Sequence, residues 1–286
     1  LVSAYIAAAV KAKVTLIEAH KMGGDCLNYG CVPSKALIKS AKLAHQIQHS
    51  ALYGLSGSGE AQKPAFSFSA VMQRVHDVIR AIEPHDSVER YTDLGVEVLQ
   101  GYGKLVNPWT VEIALNDGTT GPDGAPKVVR LTARSIVIAA GARPFVPPLP
   151  GLAEVGYVTS DTLWETFAKL DDIPKRLLLL GGGPIGCELA QSFARLGAKV
   201  TQVEMADRLM TREDEEVSAL VREALKADGV QVLTGHKALR CEWQGTEKVL
   251  VAECQGQEVV IPFDALVCAV GRVARLTGYG LEDLGV

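Results

Sequence analysis

A glycine-rich turn between an apolar run and a helical segment limits the folds that this chain can adopt. The apolar run is 176–180, the turn 181–186 reads GGGPIG, and residues 187–194 continue with helical character. The strand predicted at 199–203 ends at Glu204. Such a turn lets a pyrophosphate approach bare backbone amides at a helix N-terminus, and an acid about twenty positions on can bind a ribose hydroxyl. The pattern predicts a βαβ dinucleotide-binding unit.

The same turn and strand end provide candidate nucleotide contacts. A carboxylate at Glu204 can accept hydrogen bonds from a ribose 2′-hydroxyl and would repel a 2′-phosphate, which favours NAD over NADP. Arg208, four residues further on, would weaken that preference if its side chain folded back. The predicted contacts within the turn are Gly181, Gly183, Pro184, Ile185 and Gly186.

The opening segment indicates a second unit of the same kind. Residues 1–13 read as a helix, and Val14–Glu18 reads as a buried strand that ends in an acidic residue. A complete βαβ unit also needs a first strand and a glycine-rich turn ahead of that helix, and residues 1–13 contain neither. We therefore expect this unit to be truncated at its N-terminus.

Two cysteines with four residues between them form the next motif. Residues five apart on a straight helix are separated by about 7.5 Å of rise and roughly 140° of rotation, too far and too divergent for a disulfide. Cys26 and Cys31 could pair only across a distorted turn, which Gly30 permits, with Pro33 in the first turn of the following helix. A helix N-terminus and the charge of Lys35 would favour a reactive thiolate.

The residues alone leave two other interpretations of the cysteine pair open. The Cys-x4-Cys spacing suits half of a zinc site, for which His20 and His45 are the nearest further ligands. Alternatively, both thiols are inert and buried. Neither histidine forms a second regularly spaced ligand pair, so we predict no metal site.

The stretch GGDCLNYGCVPSKAL, residues 23–37, resembles the redox-active disulfide motif of the class I pyridine nucleotide-disulfide oxidoreductases. The resemblance implies that Cys26 exchanges with substrate and that Cys31 contacts the flavin of FAD. It also implies that Gly24 and Asp25 lie at the flavin nucleotide, with Asp25 standing where the family usually has threonine.

Glu18, Ala140, Gly141 and Gly271 resemble further nucleotide-binding positions of this family. Glu18 matches the glutamate that binds the adenosine ribose of FAD, and its alternative role is a solvent-exposed acid at a strand end. Ala140 and Gly141 match the motif at the end of the FAD domain. Gly271 matches the end of the last strand of the NAD domain.

The family also pairs a lysine that follows the redox cysteines with a glutamate beyond the glycine-rich turn. The matching residues are Lys35 and Glu188. The resemblance implies that both lie near the nicotinamide and the flavin, Lys35 stabilising negative charge there and Glu188 positioning Lys35. We expect an ion pair between them.

Hydrophobic periodicity predicts the remaining elements. A long helical segment from Ser67 to Leu94 contains Pro84, which would kink or divide it. A Gly/Ser-rich stretch at Tyr53–Gly59 precedes it, and a polar turn lies at Asn116–Gly124. The predicted strands are Val96–Leu99, Gly103–Val106, Thr110–Ala114, Lys127–Leu131, a buried strand within Ser135–Pro144, Val230–Leu233, and a hairpin of Val249–Glu253 with Glu258–Ile261; a helix is predicted at Glu213–Asp228.

Composition narrows the classes of function. The 286 residues are 48% hydrophobic and 22% charged, with a net charge of −4, so electrostatics gives no reason to expect a nucleic acid or an anionic membrane as partner. No apolar run of eighteen or more residues is present, which predicts no membrane segment. Six dispersed cysteines do not suggest a secreted disulfide scaffold, and we expect a cytoplasmic protein.

These features predict an α/β fold of two Rossmann-like dinucleotide-binding domains, with mostly parallel sheets and a β-meander. We assign 1–149 to a truncated FAD-binding domain that carries the redox disulfide, 150–271 to an NAD-binding domain, and 272–286 to the return to the first domain. The resemblance implies a homodimeric flavin-dependent oxidoreductase that passes a hydride between NAD(H) and FAD and electrons on to the cysteine pair. A dihydrolipoamide dehydrogenase-like reaction on a disulfide or dithiol is the first expectation. The alternatives are mercuric-ion reduction or, for this chain alone, an inactive nucleotide-binding module.

Overall fold

The structure is a computed structural model that describes residues 1–55, 66–121 and 124–286. The predicted stretch Tyr53–Gly59 and turn Asn116–Gly124 lie partly outside these residues. The helices are α1 (Val2–Ala9), α2 (Gly24–Asn28), α3 (Cys31–Gln48), α4 (Phe68–Ile82), α5 (Val88–Asp93), α6 (Leu152–Val155), α7 (Leu163–Phe167), α8 (Pro184–Arg195) and α9 (Glu215–Ala227). The strands are β1 (Val14–Glu18), β2 (Val96–Asn107), β3 (Thr110–Leu115), β4 (Val128–Thr132), β5 (Ala142–Pro144), β6 (Val158–Thr159), β7 (Arg176–Leu180), β8 (Lys199–Val203), β9 (Gln231–Leu233), β10 (Lys237–Gln244), β11 (Glu247–Cys254), β12 (Gln257–Phe263), β13 (Ala265–Cys268) and β14 (Arg272–Ala274).

The chain divides into two compact units that are each built from separate stretches. The first unit comprises Leu1–Asn28, Ile79–Arg143 and Ala274–Val286, and the second comprises Tyr29–Val78 and Pro144–Val273. Residues 29–78 thus group with the glycine-rich turn rather than with the opening helix and strand. The assignment of 1–149, 150–271 and 272–286 to cofactor-binding domains stays a prediction.

The first unit contains a four-stranded sheet in the order β1-β2-β3-β4. β1 runs parallel to β2, with Val14 opposite Val96, whereas β2, β3 and β4 pair antiparallel as a meander. The buried residues Ala4, Ala8 and Tyr91 pack with Val96 beside this sheet. The small residues on the helix α1 let it lie close to the strands.

The long predicted helix is divided at Pro84, as expected. α4 ends at Ile82, a 3₁₀ turn covers Glu83–Asp86, and α5 begins at Val88. The Ser87 side chain caps α5 by accepting a hydrogen bond from the Arg90 amide at 3.2 Å, which satisfies one of the free N–H groups of the new helix.

Two sequence predictions in the first unit were wrong. The strands predicted at Val96–Leu99 and Gly103–Val106 are one continuous strand, β2. The stretch Ser135–Pro144 forms no strand before Ala142, and Val137 and Ile138 are 70% and 48% exposed. An apolar run becomes a buried strand only where neighbouring strands take up its backbone hydrogen bonds, and none does so among the described residues.

The second unit is organised on a five-stranded parallel sheet in the order β6-β13-β7-β8-β9. β7 is buried on both faces, because Leu177, Leu178 and Leu179 are at most 1% exposed. A continuous apolar run is typical of such a central parallel strand. The α/β class with Rossmann-like organisation, predicted from the sequence, is confirmed.

A three-stranded antiparallel sheet, β10-β11-β12, packs beside the parallel sheet. Its strands β11 and β12 form the predicted hairpin, with Val251 opposite Val260. Leu178 and Leu180 of β7 share one buried cluster with Leu250 and Phe263 of this sheet. The cluster fixes β7, and therefore the start of the glycine-rich turn at its end.

Candidate functional site

The glycine-rich turn connects β7 to α8 with little free space on its inner side. A Cβ at Gly186 would lie 2.3 Å from the Gly181 carbonyl oxygen, and a Cβ at Gly181, where φ is +115°, would lie 2.4 Å from the Ala269 carbonyl oxygen. Both positions therefore require glycine. At Gly183 a Cβ would meet nothing within 4 Å, so the backbone there is open to a ligand.

The first turn of α8 faces this opening. Gly183 is the N-cap residue and Pro184 starts the helix, a position where the missing N–H of proline costs nothing. Ile185 is 38% exposed, and the first turn contains no acidic residue. The free N–H groups and the positive end of the helix dipole thus make a suitable site for an anion.

Two residues of the neighbouring strand segment hold the turn from beneath. The Gln202 side-chain amide, which is fully buried, donates a hydrogen bond to the Gly181 carbonyl at 2.9 Å. Glu204 accepts one from the Gly182 amide at 2.6 Å and another from the Ala206 amide at 2.8 Å. Sequence reasoning found Glu204 but missed Gln202, because β8 also contains the polar residues Lys199 and Thr201 and nothing local distinguished Gln202 from them.

Arg208 does not fold back toward Glu204. Its guanidinium donates hydrogen bonds to the carbonyl oxygens of Glu213 at 2.8 Å and Thr211 at 3.0 Å. These bonds stabilise the loop that follows β8. The same loop reaches the turn, because the Met210 amide donates to the Gly182 carbonyl at 2.8 Å.

Lys35 and Glu188 form an ion pair within the second unit. The Lys35 ammonium lies 2.7 Å from each carboxylate oxygen of Glu188, and the two side chains are 59% and 39% exposed. A pair as exposed as this contributes at most about 1 kcal/mol to stability. It joins α3, which begins at Cys31, to α8, which begins at the glycine-rich turn.

A second contact joins α3 to α8 near their C-terminal ends. The carboxylate of Asp228, only 4% exposed, accepts hydrogen bonds from Gln191 at 2.7 Å and from Arg195 at 3.0 Å. Its Oδ1 also lies 3.2 Å from Nδ1 of His45 on α3. Sequence reasoning considered His45 only as a zinc ligand, and nothing local in the sequence indicated that Asp228 would be its partner.

The six cysteines separate into exposed and protected thiols. Cys26, in α2, and Cys31, the first residue of α3, both have exposed thiols. Burial raises the pKa of the Cys187 thiol, raises that of Cys241 to about 11, and raises that of Cys268. These three buried thiols pack as small core residues, and Cys254 is half-buried.

The residues predicted to bind FAD lie in the first unit, apart from Lys35. Glu18 ends β1, and its Oε1 accepts a hydrogen bond from the His20 amide at 2.8 Å. Glu204 in the second unit binds the amide two residues on in the same way, so the two carboxylates are held alike at the ends of their strands. Gly24 and Asp25 open α2. Ala140 and Gly141 are exposed ahead of β5, and Gly141 has φ +76°.

Gly271 and the nearby end of β13 also belong to the second unit. The Gly271 carbonyl accepts a hydrogen bond from the Phe145 amide at 2.9 Å, and its φ is +130°. A Cβ there would meet nothing within 4 Å, so glycine is required by the backbone conformation rather than by a close neighbour.

Neither a metal-binding cluster nor a membrane-spanning helix is present in the described ranges. No group of three or more histidine, cysteine or acidic side chains is arranged to hold a metal ion there. Nor does any helix within those ranges combine the length and hydropathy that a membrane crossing requires.

The chain belongs to the pyridine nucleotide-disulphide oxidoreductase family, whose model matches residues 1–286. It is 34% identical over 284 residues to a mercuric reductase of Bacillus cereus, covering 99% of this chain and 42% of that protein. It is 33% identical over 279 residues to a dihydrolipoyl dehydrogenase of Thermus scotoductus, covering 96% of this chain and 55% of that protein. The chain therefore spans about half the length of these relatives.

Solved structures agree with this family. The HOCl-induced flavoprotein disulfide reductase RclA of Escherichia coli matches with a TM-score of 0.73 and 25% identity, covering 98% of this chain and 55% of that one. LpdA of Mycobacterium tuberculosis matches with a TM-score of 0.79 and 23% identity over 98% of this chain and 58% of that one, which supports the fold. The family predicted from the two sequence motifs is confirmed.

Proposed function

We propose that this chain carries the nucleotide and dithiol sites of a flavin-dependent disulfide oxidoreductase that uses NADH. The observation that carries the proposal is the ion pair between Lys35 and Glu188. It attaches the helix that begins at Cys31 to the helix that begins at the glycine-rich turn, although the two residues are 153 positions apart. It brings the ammonium group of Lys35, on the helix that carries Cys31, to a carboxylate on the helix that follows the nucleotide turn.

The turn of the second unit fits the pyrophosphate and ribose of NAD. The open backbone at Gly183 and the free N–H groups of α8 suit the phosphates. Each carboxylate oxygen of Glu204 already accepts one backbone hydrogen bond, and its remaining lone pairs can accept from a ribose hydroxyl. A 2′-phosphate would be repelled there, and Arg208 is engaged with loop carbonyls. Gly181, Gly183, Pro184, Ile185, Gly186, Glu204 and Gly271 would hold NAD.

FAD would be held by Glu18, Gly24, Asp25, Lys35, Ala140 and Gly141. The fit rests on Glu18, whose carboxylate is fixed at the end of β1 by the same backbone contact that fixes Glu204. A carboxylate at a strand end can hydrogen-bond the hydroxyls of a nucleotide ribose. Bound together, NADH and FAD would supply the hydride and the electron pair for the cysteine disulfide.

The cysteines would perform thiol-disulfide exchange. The Cys26 thiolate attacks one sulfur of a substrate disulfide, the substrate bond breaks, and the departing sulfur takes up a proton. Cys31 then attacks the Cys26 sulfur, which releases the substrate as a dithiol and leaves the Cys26–Cys31 disulfide. Two electrons pass from the pair to the substrate. Both thiols are exposed, as this exchange needs, and Lys35 supplies positive charge near the thiolate, held in place by Glu188.

The substrate we favour is a dihydrolipoamide-type disulfide or dithiol. A mercuric ion is the second candidate, and it is supported by the mercuric reductases among the relatives, at 34% and 35% identity. A third possibility is that this chain by itself binds nucleotides without turnover. We further propose a cytoplasmic location and a homodimer for the intact protein.

An absorbance spectrum before and after the addition of NADH tests the proposal. We expect flavin bands that bleach, with a long-wavelength charge-transfer shoulder that is absent in Cys31→Ser. Rates with lipoamide and with a mercuric salt then decide between the two substrates. A colourless protein that binds NADH and reduces neither substrate would refute the enzymatic proposal and leave the nucleotide-binding module.

A further inference from the structure

The short helix α7 is fixed by aromatic packing in the second unit. Leu163, Trp164 and Phe167 are at most 3% exposed. The Phe167 ring lies 5.5 Å from the ring of Phe193 on α8 and 6.5 Å from that of Phe68 on α4, in edge-to-face geometry in both cases. Such pairs favour one arrangement over others. The position of the Trp164 indole is therefore set by the core and not by what its N–H group contacts.

That indole N–H donates a hydrogen bond to the Tyr29 carbonyl oxygen at 2.9 Å. Tyr29 lies between the two redox thiols, three residues after Cys26 and two before Cys31. A buried indole N–H that loses its acceptor is costly, so the bond fixes the Tyr29 carbonyl relative to the core. No motif in the sequence indicated that a tryptophan 135 positions away would hold this segment.

Fixing Tyr29 also fixes the start of α3. The next residue, Gly30, is the N-cap of the helix, and its carbonyl accepts a hydrogen bond from the Ser34 amide at 3.1 Å. The first turn of α3, which begins at Cys31, carries free N–H groups, as the start of a helix does. A thiolate at a helix N-terminus is stabilised by those groups and by the helix dipole.

We propose that Trp164 is a positioning residue for the redox pair, an inference that rests on the proposed function of Cys26 and Cys31. When the disulfide takes up two electrons and two protons, it opens to two thiols and the sulfurs separate. With the Tyr29 carbonyl held by Trp164, Cys31 keeps its place at the start of α3. Trp164 thereby keeps Cys31 reactive in the dithiol state.

Replacement of the indole N–H group of Trp164 tests this role. The chain has three tryptophans, and Trp109 and Trp243 are 62% and 52% exposed, so Trp109→Phe with Trp243→Phe leaves residue 164 as the only one. In this background, residue 164 is replaced by β-(3-benzothienyl)alanine, which has sulfur in place of the N–H, or by 5-fluorotryptophan, which keeps it. The alkylation rate of Cys31 with iodoacetamide at neutral pH is measured by peptide mass spectrometry.

We expect Cys31 of the benzothienyl protein to react with iodoacetamide about 3-fold to 10-fold more slowly, the factor that corresponds to the loss of one hydrogen bond. In a glutathione redox buffer, the Cys26–Cys31 disulfide of this protein should be favoured over the dithiol by a similar factor. The fluorotryptophan protein should match the background. If Trp164 had only a structural role, the replacement would change the melting temperature and leave the alkylation rate of Cys31 unchanged.

The background protein itself is the matched control. The Trp243 indole donates to the Glu154 carbonyl at 3.4 Å, so its loss removes a longer indole hydrogen bond that does not involve Tyr29 and should leave Cys31 unchanged. Equal Cys31 rates and equal glutathione equilibria in the benzothienyl and background proteins would overturn the inference. Neither readout needs NADH or flavin. If Cys31 responds as expected but NADH drives no disulfide reduction, the proposed function fails and the positioning role stands.

Discussion

Asp228→Asn should destabilise the second unit more than any change at an exposed ion pair. The Asp228 carboxylate is 4% exposed and takes hydrogen bonds from Gln191 and from two nitrogens of Arg195. Asparagine has nearly the same shape but only one acceptor oxygen. Because Arg195 contacts both carboxylate oxygens, either orientation of the amide sets its NH2 group against a donor.

The magnitude follows from what is lost. One charge-assisted hydrogen bond contributes about 1.5–3 kcal/mol, and removing one partner of a buried ion pair costs about 3–5 kcal/mol. Arg195 is still 20% exposed, so water offsets part of that cost. We expect the free energy of unfolding to fall by about 2–3 kcal/mol.

Urea unfolding followed by tryptophan fluorescence measures this change. In a Trp109→Phe background, both remaining reporters, Trp164 and Trp243, belong to the unit that contains Asp228, which matters because two units can unfold separately. Glu223→Gln is the control. It removes an exposed pair with Lys226, in which Glu223 is 70% exposed, and should change stability by less than about 0.5 kcal/mol.

A double-mutant cycle with Arg195→Met decides whether the pair itself is responsible. Coupling of more than about 1 kcal/mol between Asp228→Asn and Arg195→Met is expected for groups in one hydrogen-bonded network. Asp228→Asn could instead lower the free energy of unfolding no more than Glu223→Gln does and show no coupling to Arg195→Met. This result would show that the Asp228 carboxylate does not hold α3 against α8 and α9.

The remaining predictions concern the nucleotide turn, acid stability and thiol reactivity. Gly186→Ala, whose Cβ would lie 2.3 Å from the Gly181 carbonyl oxygen, should lower the free energy of unfolding by about 1–3 kcal/mol in a thermal unfolding experiment. Gly183→Ala should lower it by less than about 1 kcal/mol but should weaken the binding of NADH in a titration. An unchanged affinity for NADH would contradict the assigned pyrophosphate position. Burial, Arg195 and His49 lower the pKa of His45, and together they outweigh Asp228, which raises it. The imidazole of His45 therefore binds a proton more tightly in the unfolded state than in the folded state. Stability should therefore decline as pH falls below the ordinary histidine pKa of about 6.5. In His45→Gln, the urea midpoint should depend less on pH in this range. An equal decline in His45→Gln and in the unmodified protein would count against the role of His45. Alkylation of the reduced protein should label Cys26 and Cys31 well before Cys187, Cys241 and Cys268, whose thiols are buried with raised pKa values, and uniform labelling would be inconsistent with the redox assignment.

The sequence by itself determined the features that depend on local pattern. The strand–turn–helix at 176–194, the acid at Glu204 and the division of the long helix at Pro84 follow from glycine spacing, an apolar run and the missing N–H of proline. Each of these is encoded within a few turns of chain. The Lys35–Glu188 pair was also expected, but only because a family resemblance supplied the long-range connection.

Tertiary structure alone decided which groups meet across long separations. Residues 136–139 have the composition of a buried strand, yet they remain irregular because no neighbouring strand binds them within the described chain. The Gln202 side chain donates a hydrogen bond to the glycine-rich turn. The Asp228 carboxylate contacts Arg195 and His45, and the Trp164 indole donates a hydrogen bond to the Tyr29 carbonyl. Periodicity records which face of an element is apolar, but it carries no information about the partner of a single polar group. Those partners are fixed only when packing brings a donor and an acceptor together away from water.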